Sequence, residues 1–143
     1  MPLPAWVNDY VGLPFVDGGR TRAGVDCYGL VRLVLREQFG ISLPDYGDVY
    51  QSVRERETIA GALTQEKSRW VNIEQPHAAQ LGDVALFRVG GLPLHCGLVL
   101  SPDVMLHVCQ GCETVVEEMH GLVWGARFEG IYGYQCASGV SPC

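Results

Sequence analysis

The sequence predicts an α+β domain, with helices in the first half and an antiparallel sheet of about five to six strands in the second. Two observations carry this. Apolar residues at Leu30, Val31, Val34 and Leu35 follow the i, i+3, i+4 spacing of a helix that buries one face. After Trp70 the pattern changes to short β-rich runs at 70–73, 83–88, 95–100, 104–109, 114–117 and 128–134, separated by turn residues such as Gly90-Gly91 and Ser101-Pro102-Asp103. Helices followed by successive strands give α+β rather than alternating α/β.

In chain order, Pro4 to Tyr10 is expected to form a short helix with Trp6 and Tyr10 on one side, ended by Gly12 and Pro14. Residues 15–24 carry Gly18, Gly19 and Gly24 and read as a loop. The main helix is expected over Cys27–Phe39, capped by Asp26 and stopped by Gly40, with Pro44 beyond. Asp48 to Glu66, with Val49, Val53, Ile59, Ala60 and Leu63 among charges, predicts one or two solvent-facing helices. Residues 1–135 are expected to form a single domain, and 136–143 a flexible tail.

Composition excludes several classes of function. Ten basic residues are dispersed among sixteen acidic ones, for a net charge of -6, so no nucleic-acid partner is expected. No apolar run approaches the length of a membrane span, so no membrane insertion is expected. The first residues lack a basic, then apolar, leader, which predicts synthesis in the cytoplasm without a secretory signal. Six cysteines in that setting argue for reduced thiols, a reactive thiol or a metal site before a disulfide framework.

Cys27 is the candidate nucleophile. At the first position of a helix, unpaired backbone N–H groups and the positive end of the dipole favour thiolate over thiol. A small buried residue at the start of a core helix is the plainer alternative. His95 and His107 each lie six residues from Ser101, so a hairpin centred there sets them directly opposite on one face. If the Cys27 helix packs its N-terminus against that face, Cys27 attacks, His95 moves the proton and His107 orients His95. No cofactor is needed and no metal is expected. A rival reading takes Cys109-Gln110-Gly111-Cys112 with His95, Cys96 and His107 as a zinc-binding domain, although alternation places Cys96 on the face opposite His95.

These residues resemble the NlpC-type cell-wall peptidases, a papain-like cysteine peptidase family. The resemblance rests on Gly24-Val25-Asp26-Cys27-Tyr28-Gly29-Leu30-Val31, on Leu81-Gly82-Asp83-Val84-Ala85-Leu86-Phe87, on His95-Cys96-Gly97-Leu98-Val99-Leu100 and on Leu106-His107-Val108. It implies a papain-like fold, a Cys27-His95-His107 triad, substrate contacts at Asp26 and Tyr28, and cleavage of peptidoglycan stem peptides, often between D-glutamate and a diamino acid. Tyr28 after the cysteine, together with the Trp-Gly-x-Arg-x-x-Gly-Ile-Tyr-x-Tyr pattern of Trp124 to Tyr134, resembles a branch associated with phage tail tips. That branch implies tail proteins as partners, assembly into a phage or prophage tail and action at the cell wall. Phe15 stands where many members carry a tyrosine that helps to stabilise the oxyanion, with Tyr10 or Tyr28 as substitutes. The same resemblance leaves room for a weak or inactive tail assembly module, or for amidase or acyl-transfer chemistry on the same groups.

Overall fold

The computed structural model describes residues 3–43, 70–89 and 92–134. The expected helices between Asp48 and Glu66 and the tail at 136–143 lie outside the described residues. A 3₁₀ turn, Ala5–Asp9, replaces the short N-terminal helix, with Trp6 and Tyr10 packed edge to face at 5.9 Å. The glycine-rich segment is more ordered than a loop: β1 (Arg20–Thr21) and β2 (Gly24–Val25) pair in a short antiparallel hairpin. Helix α1 (Cys27–Phe39) has the expected bounds, and left-handed Gly40 (φ 68°) ends it.

The remaining strands are β3 (Trp70–Ile73), β4 (Val84–Val89), β5 (Leu92–Ser101), β6 (Val104–His107), β7 (Val115–Glu118) and β8 (Phe128–Tyr134). They form one antiparallel sheet in the order β3-β8-β4-β5-β6-β7. β4 to β7 are a meander, but β8 returns to lie between β3 and β4.

Strand alternation divides the core between the two faces of the sheet. On one face α1 buries Leu30, Val34 and Leu35 against Val84, Cys96, Leu98, Leu100 and Leu106. On the other, Ala85, Phe87, Val99, Met105, Met119, Trp124 and Ile131 form a second cluster. The body of the helix therefore packs on the face of Cys96 rather than on the histidine face, while Cys27 at its first position still bonds to His95. Burying a leucine or valine side chain contributes about 1.5–3 kcal/mol, so these two apolar layers fix the sheet on which the site is built.

Candidate active site

The start of α1 is held by one carboxylate. Asp26 Oδ1 accepts hydrogen bonds from the Gly29 amide at 2.7 Å and from Arg20 Nη1 at 2.8 Å, and Oδ2 accepts from the Gly18 amide at 3.2 Å. This is an N-cap that also anchors the preceding loop. Gly29 is required by close approach: a Cβ there would lie 2.0 Å from the Gly19 carbonyl oxygen. Burial raises the Asp26 carboxyl above its ordinary range and the neighbouring Cys27 charge adds to this, while Arg20 opposes both. Asp26 and Tyr28 are 3% and 2% exposed, and the Arg20 guanidinium lies 5.4 Å from the centre of the Tyr28 ring. Both side chains are thus buried next to Cys27.

Cys27, buried at the first position of α1, is held well below the ordinary thiol range. The largest cause is a hydrogen bond from Cys96; a hydrogen bond and charge from His95 add to it, and burial opposes. Cys96 in turn is pushed well above the ordinary range by its bond to Cys27 and by burial, so it keeps its proton and serves as the donor. Nothing in the sequence pattern alone ties Cys96 to the sulfur of Cys27.

His95 and His107 do meet, with Nε2 of His95 2.9 Å from Nδ1 of His107. They are not directly opposite. Leu98 pairs with Leu106 and Val99 with Met105, and the ladder is irregular at Ser101, so this register sets Gly97 across from His107. His95 and His107 are thus diagonal neighbours on one face, a spacing that ring-sized side chains bridge. Gly97 leaves the room: a Cβ on it would lie 2.7 Å from Met105 Sδ and 3.3 Å from His107 Cβ.

The diagonal continues onto β7, where His107 pairs with Val115 and Met105 with Glu117. His107 Nε2 lies 2.6 Å from Glu117 Oε1. This fourth member fixes the protons of the whole chain. A carboxylate only accepts, so His107 carries its proton on Nε2 and presents a lone pair at Nδ1. His95 Nε2–H donates to that lone pair, which leaves His95 Nδ1 for the sulfur of Cys27. Burial, followed by the His95 charge, holds His107 below its ordinary range of 6.5, in line with a neutral acceptor. Glu117 was not found from sequence because the irregular 108–114 connection prevents counting register from β6 to β7.

Trp124 covers the pair. Its ring stacks on His95 (centroids 4.7 Å, 20° between planes) and meets His107 edge-on at 5.1 Å, with Arg127 5.1 Å from the Trp124 ring centre. Phe87 packs beside Trp124 at 5.3 Å. The motif that contains Trp124 was visible in the sequence; its place over the histidines was not.

Phe15 is half-buried against the helix-side core and bridges to Val25. Tyr10 does not substitute for a missing phenol at the nucleophile. Its hydroxyl donates to Glu37 Oε1 at 2.7 Å and accepts from Gln38 Nε2 at 3.0 Å, about 15 Å along the helix from Cys27 at 1.5 Å per residue. Of the residues considered as zinc ligands, His95, His107 and Cys109 converge, their ligand atoms within 4.8 Å of one another. Cys112 is exposed and outside that group, and Cys96 faces the helix.

Comparison with known proteins identifies the family and the fold. The family model described as NlpC/P60 family matches residues 12–132. The chain belongs to the NlpC/P60 family. Among curated relatives, the murein DD-endopeptidase MepS/murein LD-carboxypeptidase of Escherichia coli K12 is 27% identical over 120 residues, covering 84% of this chain and 55% of that protein. A probable endopeptidase of Haemophilus influenzae is 27% identical over 123 residues, covering 85% of this chain and 66% of that protein. The chain thus spans about half the length of the Escherichia coli relative. The crystal structure of an NlpC/P60 family protein from Bacillus cereus superposes with a TM-score of 0.67 at 20% identity, covering 93% of this chain and 41% of that one. Among the described residues, one α-helix on a six-stranded antiparallel sheet gives the α+β, papain-like architecture of this family.

Proposed function

We propose that this chain is a cysteine endopeptidase that hydrolyses peptidoglycan stem peptides, with Cys27 as nucleophile, His95 as general base and acid, and His107 and Glu117 as orienting groups. The observation that carries the reading is the ordered chain of hydrogen bonds from Glu117 through His107 to His95. His95 Nδ1 holds the proton taken from the Cys27 thiol, and the thiolate attacks the carbonyl carbon. The Cys27 amide at the helix start is the donor this geometry offers to the oxyanion. His95 then returns the proton to the leaving amine, giving an acyl-enzyme that water hydrolyses by the reverse sequence. In this reading Asp26 and Tyr28 form the substrate side of the nucleophile.

The bond we propose is that between D-glutamate and the diamino acid. The name of the Escherichia coli relative supports a second reading, cleavage of a DD bond. We further propose association with a phage or prophage tail and action at the cell wall, supported by Tyr28 and by the Trp124 to Tyr134 pattern. Digestion of purified peptidoglycan with mass analysis of the fragments tests the activity and separates the two bonds. No release above that of Cys27→Ala would leave the inactive assembly module as the better description.

A further inference from the structure

His95 Nε2, His107 Nδ1 and Cys109 Sγ point into one small volume, with 2.9 Å between the two nitrogens and 3.9 Å between the sulfur and Nδ1. His95 and His107 are buried and Cys109 is half-buried. A tetrahedral zinc ion has bonds of about 2.0–2.1 Å to nitrogen and about 2.3 Å to sulfur, which sets N···N near 3.3 Å and N···S near 3.6 Å. Those two sides of the existing triangle differ from that by a few tenths of an ångström, and the third, between Cys109 Sγ and His95 Nε2, lies within 4.8 Å, so the sulfur closes on His95 as the ion binds. Cys109 follows the end of β6, in the connection to β7. An independent feature also fits: the other ring nitrogen of His107 faces Glu117 Oε1 at 2.6 Å. A carboxylate behind a ligating histidine is the usual support of a zinc-bound imidazole.

We propose that His95, His107 and Cys109 form a site for a thiophilic divalent cation of the zinc type, and that the bound ion reversibly inhibits the Cys27 centre. The ion replaces the proton shared by the two histidines. Bonds form from His95 Nε2, His107 Nδ1 and Cys109 Sγ to the ion, with water as the fourth ligand. One proton leaves Cys109 and one leaves the Cys27–His95 pair, both to solvent. His95 is then neutral with its remaining proton on Nδ1, facing Cys27. Giving that proton to a leaving amine would require an imidazolate, so the acid step stops.

The inhibitory half of this proposal rests on the peptidase reading; the binding half does not. The test is titration of the reduced, chelator-treated full chain with Co²⁺, following thiolate-to-cobalt charge-transfer absorbance, then displacement by Zn²⁺. One equivalent is expected to give the band in the wild type, in Cys27→Ala and in a Cys112→Ser/Cys136→Ser/Cys143→Ser protein, but not in Cys109→Ser. Glu117→Ala is expected to bind about 10–100-fold more weakly. Where stem-peptide turnover is measurable, the ratio of rates with and without Zn²⁺, taken within each protein, is expected to fall in the wild type and to stay near one in Cys109→Ser. Absence of the band in the wild type, or its persistence in Cys109→Ser, overturns the site. Binding without loss of turnover overturns the inhibition alone. Binding in a protein with no peptidase activity leaves the site standing and removes the peptidase reading.

Discussion

Replacing Glu117 with alanine should slow turnover about tenfold while leaving KM nearly unchanged, and Glu117→Gln should recover most of the loss. Two proton arrangements compete along the chain. In the productive one every N–H points toward Glu117; in the reversed one His107 Nδ1–H donates to His95 and His95 Nδ1–H blocks the Cys27 sulfur. The carboxylate at 2.6 Å selects the first, because the second sets a lone pair against a negative charge. A hydrogen bond to a charged group contributes about 1.5–3 kcal/mol, which at about 1.36 kcal/mol per decade corresponds to roughly 10–150-fold in rate. The Glu117 side chain is 38% exposed, so water replaces part of the interaction and the low end applies. Glutamine restores an acceptor oxygen without the charge. The assay is kcat and KM on a stem-peptide substrate for the three proteins, with ¹⁵N spectra of the histidine rings to read the His107 tautomer. Wild-type kcat in Glu117→Ala, or Glu117→Gln as slow as Glu117→Ala with the tautomer unchanged, would refute the reasoning.

Cys27 should react with iodoacetamide faster than exposed Cys112 near neutral pH, and more slowly in His95→Ala; equal labelling by mass spectrometry would count against an activated thiol. His95→Ala should reduce peptide hydrolysis to background, whereas His107→Asn or His107→Gln should keep part of it, and an active His95→Ala enzyme would refute the assignment. Phe15→Tyr should raise turnover if a phenolic donor is missing, by at most the 2.7–4 kcal/mol or so of one oxyanion donor. Unchanged turnover at unchanged thermal stability would mean that no donor is missing there. Because burial holds His107 below its ordinary 6.5, the unfolded chain binds more protons over that interval. Its contribution to stability is complete above pH 6.5 and is lost as pH falls through the folded value. Denaturant unfolding and turnover should therefore both weaken on that acid side, and His107→Gln should lose this part of the stability slope.

Local rules were enough for the helix and most strands. Asp26, the 3.6-residue apolar spacing and Gly40 mark α1 at both ends, and these are short-range signals that nothing in the tertiary structure overrides. The six β-rich runs match the six strands of the sheet to within a few residues. What pattern alone did not supply was register and face. Symmetry about Ser101 gave a directly opposed histidine pair, whereas the irregular ladder at that turn shifts the partner of His95 by two residues. A two-residue slip preserves alternation, so the pair still shares a face and the two rings still meet. Glu117 and Trp124 approach the site through the 108–114 connection and the Gly125–Arg127 turn, where no period can be counted. Alternation set Cys96 on the face opposite His95, but that α1 covers this face and that Cys96 reaches Cys27 both depend on how α1 docks, which is a tertiary fact.

The junction at Asp26 bears on how this scaffold can diversify. One carboxylate ties Gly18, Arg20 and the first turn of α1 together, and the Gly19 carbonyl fills the space where a Gly29 side chain would stand. Variation in residues 18–20 is therefore transmitted to the position of the sulfur. Leu122 and Val123, which precede Trp124 in the chain, are fully and largely exposed. Exchanges at these two positions should leave the cap and the reactivity of Cys27 unchanged, whereas exchanges at 18–20 should alter both.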